Sequence, residues 1–449
     1  MSELVVLLAD HRIGVVTLSR GRLTFDYDAD WLQNPNAIPL SLSMPLTKAR
    51  HGDAAIKPFL WGLLPDNEAT LAAWGRRFGV SPRNAFALLG HIGEDLQGAV
   101  QLVPPEGLEI LRKREGVTRL SPEALETAFR ALMRDPGATQ FSEEGGQFSL
   151  AGAQPKKALY RVGDAWYEPR GRTPSTHILK PPIPNLAGQV QNEAFCLRLA
   201  GRLGLPTPHI WIEHFGDLPV VVIERYDRVR MKGKTRLALD QRGGEVRRVH
   251  QEDCCQALAT MPQTKYQAEG GPGIADIMQL LSGSAKPAED RDRFMRAQAF
   301  NFVIGGSDAH AKNYSVLLTR LGRFRLAPLY DLISLLPYLD RRRDGKLAMP
   351  IDGQYRFDRI APRHWERQAR AAGYAPDRAM AHIRDCLARL PDEASALAQD
   401  FANNGLAGEE LDRLVACLIE RCDVLRRSYG EEADANPTGS PAVTRRRRS

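Results

Sequence analysis

The chain has 449 residues, 43% of them hydrophobic, and carries a formal net charge of +7. That length exceeds one ordinary core and calls for two or three units, which the apolar content is sufficient to bury. No apolar stretch is long enough to cross a bilayer, which excludes a membrane-spanning chain, while the basic balance suits a nucleotide, an acidic protein or a nucleic acid without selecting among them.

From Met1 to about Val103 the runs Val5-Val6-Leu7, Val15-Val16-Thr17 and Leu23–Tyr27 predict a small strand-rich start. The Leu4–Ala9 run follows Glu3 rather than a basic region and is broken by Asp10, so it reads as a strand and not a signal peptide, and a cytoplasmic location is expected. Phe59–Pro65 is an apolar patch that Pro65 ends at a turn, and helical signals then run to Leu89, with Ser81-Pro82 marking a helix start. Pro104-Pro105 forms a boundary, and Ser121-Pro122-Glu123 opens a helix to about Met133.

Glu143-Glu144-Gly145-Gly146 leads into Gln147–Gln154 and then the strand-like Lys157–Tyr160. A strand, small-residue turn and strand in that order can lay backbone amides over phosphates, and it is equally the pattern of an ordinary hairpin. Thr176–Lys180 reads as a strand stopped by Pro181-Pro182, so Lys180 is either a phosphate ligand or a solvated edge charge. Gln191–Leu203 has helical spacing, and Glu193 in its first turn either pairs with Lys180 or simply suits the helix dipole. Two strands, Ile210–Phe215 and Pro219–Ile223, lead into Glu224-Arg225-Tyr226 in the order of a kinase small lobe and hinge, where the main chain would read adenine.

Arg228–Arg248 is a basic excursion, and His250 reads as a cap-region residue at the start of a helical large lobe. Helices at about Ile274–Leu281 and Arg291–Ile304 deliver the chain to Gly305. The loop then places Asp308 and Asn313 five positions apart, the offset at which protein kinases hold an acceptor-orienting acid and a magnesium-binding amide. Strands at Tyr314–Leu318 and Arg323–Leu326, around a turn at Leu321-Gly322, carry the chain to a second acid, Asp331. Two oxygen ligands plus nucleotide phosphates suit magnesium. Helices return from Pro362 to Tyr429, and a Pro-, Gly-, Ser- and Thr-rich tail ends in Arg445–Arg448, for which disorder is expected. The six cysteines show no Cys-x-x-Cys spacing and read as reduced core thiols.

Taken in order, Ser149-Leu-Ala-Gly-Ala-Gln154, Thr176-His-Ile-Leu-Lys180, Asn192-Glu193, Gln251-Glu-Asp253, Lys265-Tyr266-Gln267, Asp308-Ala-His-Ala-Lys-Asn313 and Leu326-Ala-Pro-Leu-Tyr-Asp331 resemble the HipA family of bacterial serine/threonine kinase toxins. The resemblance implies an α+β chain with a bilobed protein-kinase-like fold, strand-rich small lobe and helical large lobe, preceded by a small α/β N-terminal domain. The expected units are a HipA-type subdomain at 1–103, a helical linker at 104–145, the kinase domain at 146–429 with its small lobe ending near 226, and a basic tail at 430–449. It implies ATP and Mg2+ as cofactors, with Asp308 as the catalytic acid, Asn313 and Asp331 as metal ligands, and Lys180 on the nucleotide phosphates. Ala151, Gly152, Ala153, Gln154, Pro155 and Lys156 would cover ATP, Glu224, Arg225 and Tyr226 would hold adenine, and His310, Ala311, Lys312, Asn313, Tyr330, Asp331, Leu332 and Ile333 would complete the pocket. Here Leu150 fills the second position of the family loop, Pro155-Lys156 follows Gln154, and Leu332-Ile333 stands where protein kinases have Phe-Gly.

By the same resemblance Ser149 is the position of autophosphorylation, expected to act as an off switch by expelling its loop. The expected partners are a HipB-like helix-turn-helix antitoxin, operator DNA through that complex with help from Arg341–Arg343, and a protein substrate such as an aminoacyl-tRNA synthetase, with no membrane. Asp308-x-His310-x-x-Asn313 also resembles the catalytic loop of phosphoinositide-type kinases, which keeps a lipid or small-molecule acceptor open. A catalytically weak corepressor is the third alternative.

Overall fold

The computed structural model describes residues 1–138, 149–232, 244–339 and 345–430. The Glu143–Gly146 turn, the middle of the basic excursion, the Arg341–Arg343 run and the Arg445–Arg448 tail lie outside the described residues.

The N-terminal sheet is formed by β1 (Ser2–Leu8), β2 (His11–Ser19), β3 (Arg22–Tyr27), β4 (Arg50–Gly52) and β5 (Val100–Val103), in the order β4-β3-β2-β1-β5 with every pair antiparallel. Side chains alternate across a strand, and β1 is apolar on both faces because both are covered. Leu4, Val6 and Leu8 enter the main core of this domain, whereas Val5 and Leu7 pack against Val103 and Leu111. The Phe59–Pro65 patch turns out to be mostly helical, lying in the helix Asp53–Gly62, which buries Ile56, Phe59 and Leu60 against the sheet.

The segment after Val103, expected to be a helical connection, also supplies β6 (Glu115–Leu120). β6 pairs with β8 (Ala165–Gly171) as the edge of a second antiparallel sheet that includes β7 (Lys157–Val162), β9 (His177–Lys180), β10 (Ile210–Phe215) and β11 (Leu218–Glu224) in the order β10-β11-β9-β7-β8-β6. The Ser121 hydroxyl caps the following helix, Pro122–Arg134, by accepting from Ala124 N. That helix lays Leu125 and Phe129 on the same cluster as Leu159, Leu179, Val220 and Val222, so it is part of the small lobe.

The large lobe is built on the helix Pro287–Ile304, whose second half is buried almost without interruption from Phe294 to Ile304. Gly305 ends it at φ 65, in the left-handed region where glycine carries no Cβ penalty, and Gly306 N donates to Asn301 O at 2.7 Å in a Schellman closure. The helices Pro362–Ala371, Pro376–Asn403 and Glu409–Tyr429 complete the lobe. The cysteines are unpaired thiols, and all except the half-buried Cys417 are buried. Among the described residues no helix is long and apolar enough to cross a membrane.

The N-terminal domain meets the kinase-like part at several places, among them the helix Asp53–Gly62, where Phe59 O accepts from Gln256 Nε2 at 2.9 Å, and three short segments. At the first of these segments, His250 bonds Leu40 O at 2.8 Å through Nε2, and Leu42 N donates to Glu252 at 2.7 Å. His250 is therefore a buried contact between domains rather than a helix cap, because the strand Gln251–Asp253 follows it instead of a helix. The second segment is Leu63–Asn67 and the third Glu94–Gly98, and both reach the site described next.

Candidate active site

Strand β9, the helix Gln189–Arg202, the loop after Gly305 and the segment after Phe324–Leu326 converge on one cavity of about 540 Å³. Such a volume falls within the range of small-molecule sites.

Lys180, at the end of β9, places Nζ 2.5 Å from Glu193 Oε1 and 2.8 Å from Asp331 Oδ1. Lys180 and Glu193 are nearly inaccessible, so the choice between a solvated lysine and a paired one is resolved as a buried ion pair. Burial works against the Lys180 ammonium, but Asp331 and Glu193 outweigh it and raise its pKa, keeping it charged. The same Lys180 charge, opposed by burial, holds Asp331 below the usual carboxylate range. Gln189 Nε2 supports the other Glu193 oxygen at 3.1 Å.

Asp331 has φ 56, a left-handed backbone that is uncommon outside glycine and costs of order 1–3 kcal/mol. The following residues hold it there. Asn192 exchanges two hydrogen bonds with the main chain of Ser334, at 2.8 and 2.9 Å, and Ser334 Oγ donates to Ile304 O at 2.6 Å. The helix that carries Glu193 and the end of the central helix thus fix the turn that carries Asp331.

In the loop after Gly305, Asp308 is exposed to the cavity and accepts a 2.7 Å hydrogen bond from the Tyr266 hydroxyl at Oδ1. Asn313 Nδ2 donates to Asp308 O at 2.8 Å, which leaves the Asn313 Oδ1 lone pairs for another partner. Tyr266 also packs edge-on against His310, with ring centroids 5.0 Å apart. His310 is buried, and Nδ1 has no hydrogen-bond partner. The Tyr330 hydroxyl donates to Lys312 O at 2.9 Å, and its ring stacks on Tyr226 from the hinge with centroids 5.9 Å apart.

The loop from Ser149 to Lys156 contains no strand, contrary to the hairpin pattern. It is held instead by the N-terminal domain. Pro65 and Gly152 form a parallel bridge, Asp66 N donates to Gly152 O and Asn67 Nδ2 to Ala153 O, both at 3.2 Å. Lys156 Nζ turns back onto Ala151 O at 2.7 Å, and burial, with repulsion from Lys180, brings its pKa down to about 8. Ser149 is fully buried outside the cavity, donating Oγ to Leu63 O at 2.8 Å and N to Asp95 O at 3.1 Å.

Of the residues expected from sequence, Ala151 to Lys156, Lys180, Glu224 to Tyr226, Asp308, His310, Lys312, Asn313, Tyr330, Asp331 and Ile333 line the cavity. Ala311 and Leu332 do not, because both side chains are buried in the large-lobe core. Arg225 lies at the wall, but its polar groups face the protein. Its N–H goes to Thr176 O and its C=O receives Arg228 N, while its guanidinium pairs with Asp227 and Ser175. Glu224 N likewise donates to His209 O at 2.9 Å, so neither of these two N–H groups is left for the ring edge of a bound base.

Asp66, Asn67 and Gln97, which no sequence pattern marked, complete the wall from the N-terminal domain. Asp66 Oδ2 is 2.7 Å from Lys265 Nζ, and Oδ1 pairs with Lys312. Burial opposes its ionisation, but the two lysines hold its carboxyl below the usual range. Asn67 announces itself only as the cap of the helix Glu68–Phe78, where its side chain accepts from Thr70 N.

The comparisons with known proteins agree with this geometry. Residues 4–103 match the family model described as the HipA N-terminal domain, and residues 148–394 match the HipA-like C-terminal domain. "Putative kinase Y4mE" of Sinorhizobium fredii is 34% identical over 421 residues, covering 93% of this chain and 96% of that one. The serine/threonine-protein kinase toxin HipA of Shewanella oneidensis is 33% identical over 363 residues, 78% of each chain. A solved complex of HipA, HipB and operator DNA from Shewanella oneidensis superposes with a TM-score of 0.79 at 26% identity, covering 96% of this chain and 99% of that one. With both domain models matched in order and a kinase-like fold around one polar cavity, the chain belongs to the HipA family of serine/threonine kinases.

Proposed function

We propose that the chain is a cytoplasmic, ATP- and magnesium-dependent serine/threonine protein kinase acting as the toxin of a toxin–antitoxin pair. The observation that carries the reading is the buried Lys180–Glu193 pair bound to Asp331 in a cavity that also presents Asp308 and Asn313. The donor set fits a magnesium–nucleotide complex. Among the described residues no group of three or more His, Cys, Asp or Glu side chains stands ready for a metal, whereas one Asp331 oxygen and the Asn313 Oδ1 are the hard ligands that magnesium takes beside phosphates. When bound, the metal would supply charge neutralisation between phosphates.

The side chains then have distinct tasks. Lys180, kept cationic by its two carboxylates, attracts the phosphates and orients them. Glu224 and Tyr226, at the cavity wall, hold the base. Asp308, held at Oδ1 by Tyr266, accepts the hydrogen bond of the acceptor hydroxyl at Oδ2 and receives its proton as the oxygen attacks the γ-phosphorus and the bond to ADP breaks. Positioning and electrostatics, rather than covalent chemistry by the protein, carry such a reaction.

Ser149 is proposed as a site of self-phosphorylation that switches the enzyme off. A phosphate adds about −1.5 to −2 of charge and three oxygens. The buried Ser149 hydroxyl points at the Leu63 carbonyl, an acceptor that repels such a group, so the modified loop leaves its seat and takes Ala151 to Lys156 with it. By analogy with the Shewanella complex, the partners would be a HipB-like antitoxin and, through it, operator DNA, with autoregulation of transcription as the outcome. A translation factor such as an aminoacyl-tRNA synthetase is the proposed substrate.

Incubation with labelled ATP and magnesium tests the reading. Label on Ser149 or on a protein acceptor, absent in Asp308→Asn, is the expected result, and nucleotide binding without any transfer to protein would overturn it. A Ser149→Asp chain should bind ATP more weakly, and unaltered affinity would remove the off-switch.

A further inference from the structure

The cavity is closed by a residue from outside the kinase-like domain. Asp66 lies between β4 and the kinase-like part in sequence, 199 positions before Lys265 and 246 before Lys312, yet its carboxylate joins both ammonium groups. The lysine side chains are only 13% and 3% exposed and Asp66 15%, so the contacts belong to the partly desolvated class in which losing one partner matters.

Each lysine is next to a residue the reaction uses. Lys312 precedes Asn313, and Lys265 precedes Tyr266, whose hydroxyl rests 2.7 Å from Asp308 Oδ1 and whose ring packs on His310. The same short segment grips the other side of the cavity, through Asp66 N on Gly152 O and Asn67 Nδ2 on Ala153 O. One turn of the N-terminal domain therefore holds the loop expected to cover the nucleotide and the two loops that flank Asp308.

We propose that Asp66 is a positioning residue for phosphoryl transfer, fixing the catalytic loop and the Lys265–Tyr266 turn relative to the Ser149–Lys156 loop. The proposal deepens the kinase reading above and rests on it. Without the carboxylate the two ammonium groups lose their common anchor and repel each other. Lys312 then shifts Asn313, and Lys265 withdraws Tyr266 from Asp308. Misplacement of reacting groups by about 1 Å is enough to lower a rate by roughly 100-fold.

The experiment compares full-length wild type, Asp66→Asn, Asp66→Glu and Asn67→Ser, measuring phosphate transfer from ATP and, separately, nucleotide affinity by fluorescence titration. Asp66→Asn keeps the backbone bond to Gly152, so nucleotide affinity should stay within about twofold while kcat falls by roughly 10- to 100-fold. Asp66→Glu, which restores the charge, should recover a substantial part of that loss. Asn67→Ser keeps a capping oxygen for Thr70 but cannot reach Ala153, and it should give the opposite split, a raised KM for ATP. An Asp66→Asn chain with unchanged or higher kcat overturns the proposal, as does one in which kcat and nucleotide affinity fall together, the signature of a merely structural residue. A wild type that transfers no phosphate removes the kinase reading itself, and with it this role for Asp66.

Discussion

Neutralising Asp95 should release the N-terminal domain from the hinge. Asp95 Oδ1 accepts from Arg228 at 3.0 Å and Arg248 at 3.3 Å, and Oδ2 accepts from Ser175 Oγ at 2.5 Å and Ser175 N at 3.1 Å, with Arg225 3.5 Å away. Asp227 is the second carboxylate of the cluster, bound to Arg225 and Arg228, and its Oδ2 also takes Gly98 N at 2.7 Å. None of the five charged side chains is more than 7% exposed. Asp95→Asn leaves three buried cations against one anion and turns an acceptor into a donor aimed at arginine. Removing one partner of a buried pair costs about 3–5 kcal/mol, and the shape-preserving amide places the expectation near the middle, at about 4 kcal/mol.

The assay is urea unfolding at several pH values, with Asp28→Asn as the comparison. Asp28 pairs with Arg12 at 2.9 Å, but the two are 32% and 47% exposed, so its loss should cost no more than about 1 kcal/mol. The pH sign follows from the folded state. Burial alone would raise the Asp95 carboxyl, but Arg228, Arg225 and Arg248 bring it well below the ordinary range. Its stabilisation is thus complete above the unfolded pKa of about 4 and is lost as pH falls toward the folded value. The gap between wild type and Asp95→Asn should be widest at neutral pH and narrow below about pH 4. A gap below about 1 kcal/mol at neutral pH, or one that ignores pH, would refute the ion-network argument.

Two further outcomes are expected of the nucleotide site. Lys180→Met should lower kcat/KM by at least roughly 100-fold in a transfer assay and also destabilise the fold, because Glu193 is left buried without its cation; near-normal turnover would contradict the central pair. In wild type the KM for ATP should rise as pH passes about 8, where Lys156 loses its proton, while Lys156→Arg, charged throughout, should stay flat to about pH 9. A wild-type KM constant over that range would show that the Lys156 charge does not serve ATP.

The order of the elements was legible because each carries a local signal. The strands ending in Lys180 and Glu224 are short apolar runs bounded by proline or charge, and the central helix ends where glycine permits a left-handed turn at Gly305. Asp308, Asn313 and Asp331 were legible through spacing, since a loop and a two-stranded ribbon fix how far apart they emerge. Local pattern failed where a partner lies far along the chain. Ala151 and Gly152 were expected in a hairpin, yet their loop is organised by Pro65 to Asn67, and small residues alone do not distinguish a hairpin from a loop docked on another domain. His250 looked like a cap because its partner, Leu40, is 210 positions away. Ala311 and Leu332 were carried into the pocket by proximity in sequence to true wall residues, but their side chains take the opposite side of the backbone and enter the core.

The ledge formed by Asp66, Asn67 and Gln97 gives the cavity a composite ancestry: one wall belongs to a different folding unit from the others. A small molecule that fills only the space between Lys180 and the hinge would meet surfaces common to many nucleotide enzymes. One extended by a cationic or hydrogen-bonding arm onto that ledge would contact a seam whose chemistry depends on how two domains are married. Selectivity for this chain can therefore be designed at the domain boundary, and resistance to such a compound would arise as readily from substitutions in the first hundred residues as from changes beside Asp308.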